Sequence, residues 1–487
     1  MFHKTTIHFR KYFALVVLLA LVISCAVNPV TGKRELMLLS EAEEIQLGKE
    51  TDVSIVQTYG IYPDEELTNY VRSIGQRMAK LSHRPNLNFE FKVMDTPVIN
   101  AFAVPGGFVY ITRGILAYLN SEAEFAGVVG HEIGHVTARH SAKQYSRAQL
   151  AQLGLGLGSI LSEDFRQYAG LAQFGVGMLF LKFSRDNERQ SDDLGVEYAT
   201  KAGYDATYMA NFFETLERMS PGEDRSGLPG WFSTHPNPAD RVEAIRRQAQ
   251  AWQQKVGIKN LKVGREEFLR HIDGIVFGED PRQGYVEDNA FYHPELKFQF
   301  PVPLGWTVNN TPAQVQMTSP EQDAAIIFTL ETATSPTEAA NKFISNSKAT
   351  VVSRSSLTIS GFPAHRAITD ITSSQGVLRV LSYFIQKDQN IYVFHGFTGQ
   401  SSFPNFQPVF QSTPEQFKHL SDPNKINVAP DRIRIKKVPR SGTVREALIA
   451  LGVADDKLEA MALLNGKLLT DTVEANTLLK VIEYGRK

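Results

Sequence analysis

Two histidines four residues apart with a glutamate beside the first, His131-Glu132-Ile133-Gly134-His135, form the chain's strongest chemical signal. On a helix, residues four apart project from one face, so both imidazoles can reach the same metal ion. The glutamate next to that face can take a proton from a water activated by the ion, which is zinc-hydrolase chemistry. A catalytic zinc usually holds three protein ligands and keeps one position open, so the pentad is one ligand short.

An extension of the same helix cannot supply the third ligand in the metzincin manner. That would need glycine at 138 and histidine at 141, where this chain has Ala138 and Ser141. His140 reads as a residue near the helix C-terminus, interacting with the dipole rather than with a metal. Further on, residues 184–195 read as a polar helix face following the apolar run 174–183. Glu188 and Asp192 are four apart, so one can bind metal while the other lies a turn further along. An acid at that second position can accept the free N–H of a ligand histidine and fix its tautomer. Asp193 and Glu197 are the fallback ligands.

Local signals say which elements must position these groups. Ser121-Glu122-Ala123-Glu124 has the form of a capping box, and Phe125, Val128, Val129, Ile133 and Val136 follow at roughly helical spacing. This predicts a helix largely buried in a core, its histidines facing a cleft. The segment 100–111 is rich in strand-forming residues around a turn at Pro105-Gly106-Gly107. His235 precedes a helix expected to begin near 237–240.

Glu188, Asp192 and Gly195 after the HEIGH helix resemble the second-helix motif of the HtpX/CAAX-prenyl-protease family of zinc metallopeptidases (gluzincins). Residues 100–110 and Thr234-His235-Pro236 with Arg241 match that family too, over about 27–255, and the likeness is closest to its periplasmic, BepA-like branch. One departure is Ser191, where relatives usually carry alanine. The resemblance implies a zinc ion (Zn2+) on His131, His135 and Glu188, Glu132 as general base, and Asp192 behind the ligands. It implies an edge strand on which an extended substrate pairs, with Asn100 and Ala103 as contacts. His235 is expected to approach the zinc, stabilising the oxyanion or filling the water position, with Arg241 supporting the oxyanion or its surroundings.

The 487 residues suggest two to four domains, and a net charge of -1 without an extended basic stripe argues against a nucleic-acid partner. The single cysteine excludes an intrachain disulfide. Lys4, Arg10 and Lys11 precede an apolar stretch from Phe13 to Ile23, too short to span a membrane and suited to a signal peptide at 1–24. Val22-Ile23-Ser24-Cys25 resembles a bacterial lipobox, so Cys25 is the expected lipidation site. Ala26 favours the outer membrane by resemblance to lipoprotein sorting rules. A tether follows at 25–39 and the peptidase domain at 40–255. The glycine-punctuated stretches 154–158 and 174–181 read as close helix packing around the site.

Beyond the peptidase domain, alternation at 296–306 and 376–397 around a helix near 337–347 predicts an α+β antiparallel-sheet domain at 286–422, faintly resembling PsbP-like domains. Residues 430–487 read as a small βααβ unit resembling a LysM-like module, which implies contact with peptidoglycan. The whole is thus an α+β chain led by a mainly helical, zincin-type domain with a small edge sheet. The expected activity is zinc-dependent endopeptidase action on misfolded or regulatory proteins of a bacterial envelope, from a lipid-anchored periplasmic position. The alternative is a non-proteolytic envelope chaperone or scaffold with a regulatory metal site.

Overall fold

The structure is a computed structural model that describes residues 25–152, 183–219, 230–235, 240–373 and 376–486. The expected signal peptide, the stretches 154–158 and 174–181, and Pro236 to Ala239 lie outside those residues. Among the described residues, no helix is long and apolar enough to cross a membrane.

The helix Glu122–Thr137 runs through the centre of the first domain with every one of its residues buried. Three other helices surround it: Glu65–Ala79, Arg185–Lys201 and Tyr208–Glu217. Leu67, Val71, Ile74 and Met78 recur at helical spacing on the first of these, and all join the main core with Phe125, Val128, Val129 and Ile133. The N-terminus of the central helix differs from a full capping box. The Ser121 side chain accepts from the Glu124 amide at 3.1 Å, but the Glu124 carboxylate reaches past the cap to the Asn120 amide at 2.6 Å.

A three-stranded sheet flanks the helix. Phe108–Thr112 lies between Glu90–Met94, which it pairs in parallel, and the antiparallel edge strand Ala101–Val104. The stretch expected as a tether is docked. Cys25–Val27 pairs with Arg34–Leu36, and the Asn28 amide donates to the Ala138 carbonyl at 3.3 Å. Beside it, the buried Glu44 carboxylate binds Arg84 at 2.9 Å and Arg139 at 2.7 Å, tying the helix Glu41–Tyr59 to the end of the central helix.

The second domain stacks two antiparallel sheets. In the seven-stranded sheet, Thr350–Ile359, Phe362–Ser373, Gly376–Lys387, Asn390–Gly399, Ala324–Glu331, Gln314–Thr318 and Thr307–Asn310 lie in that spatial order. Tyr392 and Phe394 point to one face, against Phe291, Phe298 and Phe300 of the four-stranded sheet. Ile391 and Val393 point to the other, under the helix Pro336–Ser347.

The C-terminal unit has the expected βααβ order: Arg432–Lys437 pairs antiparallel with Leu478–Glu483 around the helices Val444–Ala450 and Leu458–Leu464. It is packed firmly on the first domain. The buried Lys480 Nζ donates to the carbonyls of Ala117 at 2.7 Å and Leu119 at 2.9 Å, just ahead of the central helix. Arg265 bridges the Asn120 and Leu478 carbonyls, each at 3.1 Å.

Candidate metal centre

His131 and His135 occupy neighbouring turns of the central helix, and their Nε2 atoms face each other at 3.0 Å. The helix Arg185–Lys201 crosses it closely, capped by Ser184 and Asn187. That crossing carries Glu188 into the same space, 3.6 Å from His131 Nε2 and 3.4 Å from His135 Nε2. His235, at the end of the short helix Trp231–Thr234, completes the group. Its Nδ1 lies 3.3 Å from His131 Nε2 and 3.2 Å from Glu188 Oε1. One donor atom from each of these four residues lies within 4.8 Å of all the others. None of the four, nor Glu132, is more than 1% exposed, so the cluster is buried.

The chemistry of this donor set fits a divalent cation. Asp192 Oδ1 sits 2.9 Å from His131 Nδ1 and accepts a hydrogen bond from the N–H there, leaving a bare lone pair on Nε2. Glu188 Oε2 is buried without a hydrogen-bond partner among the described residues, and the Arg241 guanidinium, 3.5 Å away on one side, leaves the side facing the imidazole nitrogens without a cation. Lone pairs and a carboxylate packed together in a dry site repel unless a positive charge lies among them. His131, His135 and Glu188 would provide the three protein ligands usual for a catalytic zinc, and His235 offers a fourth donor in the same cluster.

Burial and near neighbours set the protonation states. Burial holds His131 well below its ordinary value and pushes His135 down to about 3, keeping both imidazoles in the neutral, metal-binding form. Burial alone would raise the Glu188 carboxyl, but His235, His135 and His131 outweigh it and hold the group well below the carboxylate range. Burial pushes Glu132 up to about 8 against the opposing pull of His235, near the range where a general base works best. The Ala103 backbone amide, on the edge strand, also faces that carboxyl and favours its ionised form, although neither Glu132 oxygen has a full hydrogen-bond partner among the described residues.

The remaining expected residues fall into place unevenly. Arg241 opens the helix Arg241–Val256, and its guanidinium contacts Asp192 Oδ1 at 2.8 Å while stacking 3.9 Å from the centre of the Phe213 ring. Its contacts with the cluster run through Asp192 and through Glu188 Oε2 at 3.5 Å, which suits a positioning residue. Asn100 precedes the edge strand and is buried, its amide donating to Thr112 Oγ1 at 3.2 Å, while Ala103 lies within the strand. Cys25 starts the first strand. The fallback ligands stand apart, Asp193 exposed and Glu197 paired with Lys201 at 2.6 Å.

His140 needs correcting. It does not end the central helix but begins the next one, His140–Gln152. The chain breaks at Arg139, whose φ of 57° is left-handed and whose side chain is held by Glu44. The break turns His140 back on to His135. Trp231 and Phe183 also went unforeseen: Trp231 stacks on His235 with centroids 4.4 Å apart, and Phe183 covers His135 at 4.0 Å. Nothing in their spacing marks either residue as part of the site.

Comparison with known proteins agrees with this geometry. Residues 65–249 match the model for peptidase family M48. The chain is 32% identical over 223 residues to the beta-barrel assembly-enhancing protease of Escherichia coli (strain K12), covering 43% of this chain and 45% of that protein. It is 32% identical over 225 residues to the mitochondrial metalloendopeptidase OMA1 of Schizosaccharomyces pombe, covering 45% and 64%. The matched region is thus less than half of the bacterial relative's length. Cyanobacterial PsbP of Synechocystis covers 27% of this chain and 91% of its own at a TM-score of 0.24 and 11% identity, a likeness too slight to carry weight. Residues 65–249, with the buried His131, Glu132, His135 and Glu188 at their centre, are a peptidase family M48 domain.

Proposed function

We propose that the chain is a zinc-dependent endopeptidase acting on misfolded or regulatory proteins of a bacterial cell envelope. The observation that carries the proposal is the convergence of His131, His135 and Glu188 within one buried cluster, with Glu132 beside it. When bound there, zinc supplies a Lewis acid that polarises the scissile carbonyl and activates water. Glu132 takes the proton of the attacking water and passes it to the leaving amine. Asp192 and Arg241 hold His131 in register for this. Ala101–Val104 is the edge strand of its sheet, and an extended substrate would pair along its backbone with few demands on sequence once it displaces contacts such as Ser141 Oγ on the Ala103 carbonyl at 3.3 Å. His235 fills the fourth corner in the resting arrangement, so a substrate must displace it to reach the ligands.

The envelope assignment is supported by the leader-like N-terminus and the lipobox-like residues before Cys25, which would anchor the mature protein to the outer membrane. The bacterial relative's name, a protease that enhances β-barrel assembly, points to envelope proteins as the substrate class. The C-terminal βααβ unit is assigned to peptidoglycan contact. Failure of the full chain to pellet with purified sacculi would remove that assignment.

A second reading, a scaffold with a regulatory metal site, is favoured by the complete burial of the cluster. Glu132→Gln separates the two. An endopeptidase loses cleavage of a denatured protein substrate while keeping its zinc, and a scaffold complements a deletion strain fully with the same variant.

A further inference from the structure

We infer that His140 is the positioning residue that holds His135 in its metal-binding tautomer, and that Gln190 in turn fixes His140. The inference deepens the proposed cation site and rests on it. His135 turns Nε2 towards His131 and Glu188, so its proton belongs on Nδ1. That Nδ1 lies 3.1 Å from His140 Nδ1, and His140 Nε2 lies 3.0 Å from Gln190 Oε1. With the proton of His135 on Nδ1, only one arrangement satisfies both contacts. His135 Nδ1–H donates to a bare His140 Nδ1, and His140 Nε2–H donates to the Gln190 carbonyl oxygen. The Ser191 hydroxyl, 3.3 Å from the same His140 Nδ1, is compatible with this arrangement as a weaker, shared donor to that lone pair.

The two ligand histidines are therefore held by unlike partners. His131 leans on the carboxylate of Asp192, which Arg241 also binds, whereas His135 leans on a neutral imidazole. A carboxylate makes the ligand it contacts more basic, and a neutral acceptor does so less while still fixing the ring's orientation. The backbone is built for the purpose. A continuous helix would carry residue 140 away from the Nδ1 side of His135, and the left-handed Arg139, pinned by Glu44 at 2.7 Å and by the Leu39 carbonyl at 3.0 Å, redirects it. Gln190 lies two residues past Glu188 on the same helix, so the helix that brings the carboxylate ligand also anchors the relay that orients His135.

The test uses the full chain loaded with Zn2+ and three variants. His140→Leu keeps the bulk and removes the acceptor, and zinc affinity measured against a chelator should fall by roughly 10–100-fold. His140→Asn places a carbonyl oxygen near the position of Nδ1 and should recover most of that loss. Gln190→Leu, on a half-buried residue, should cost less than His140→Leu. Ring 15N correlations of the wild-type protein should put the proton of His135 on Nδ1 and that of His140 on Nε2, and this measurement decides the matter if His140→Leu does not fold. A proton on Nδ1 of His140, or unchanged zinc affinity in folded His140→Leu, overturns the inference while leaving the zinc site intact. A wild-type chain that binds no zinc overturns the site itself.

Discussion

Gly130 and Gly195 meet where the two ligand-bearing helices cross. A Cβ added at Gly130 would stand 2.9 Å from the Gly195 carbonyl oxygen, and one at Gly195 would stand 2.9 Å from the His131 amide nitrogen. The backbones come this close because neither residue has a side chain, and that closeness brings Glu188 within reach of His131 and His135. Gly195→Ala should therefore push the helices apart. Overpacking of this kind costs about 1–3 kcal/mol. Urea unfolding should show that loss, and a chelator competition should show weaker zinc binding. Zinc affinity equal to wild type would mean that the close crossing does not set the ligand geometry.

His235 and Trp231 form a stacked pair over the ligands, with ring centroids 4.4 Å apart. If His235 occupies the position a substrate must enter, as proposed, His235→Ala should keep most of the zinc and raise basal cleavage of a denatured protein. Unchanged proteolysis with normal zinc occupancy would remove His235 from the mechanism.

Lys480 joins the C-terminal unit to the approach of the central helix by donating to the carbonyls of Ala117 and Leu119. Lys480→Met keeps much of the length and leaves both carbonyls buried without that partner. The expected cost is about 1–3 kcal/mol, read as an earlier unfolding transition of the peptidase domain. A transition that moves only in the C-terminal unit would show that the contact does not support the helix.

Acidification should weaken the sheet domain. Burial pushes His293 and His395 down to about 4. In the unfolded chain both imidazoles take a proton near 6.5, so between pH 6.5 and 4 the unfolded state binds more protons. Stability is therefore fully present above pH 6.5 and falls as pH drops through that window, by up to about 1.4 kcal/mol per unit for each group. His395→Phe keeps a ring against Phe343 and should flatten the slope of unfolding free energy against pH. An unchanged slope would assign the acid sensitivity elsewhere.

The sequence made the central helix legible because its signals are local: a serine cap, apolar residues at helical spacing and two histidines on one face. Strand alternation marked the sheet domain for the same reason, and Asn390–Gly399 follows Gly376–Lys387 as its hairpin partner. The pairing of Ala324–Glu331 with Asn390–Gly399 was not legible, since it joins segments separated by four other elements. Within the site, the four-residue spacing of Glu188 and Asp192 offered two carboxylates on one face, and the family motif rather than the spacing selected Glu188. The place of His140 at the start of a new helix was not legible, because it depends on a left-handed arginine that no local preference favours and that a distant Glu44 holds. Arg241 was found by its motif, but its partner Asp192 lies on another helix and emerged only from the packing.

Zinc content of the purified full chain and of Glu188→Ala, measured by elemental analysis after dialysis against a weak chelator, tests the central claim most directly. One zinc per chain in the wild type and almost none in the variant is the predicted result. Equal zinc in both would show that the carboxylate of the crossing helix holds no metal, and the assembly of the centre from two distant segments would then be wrong.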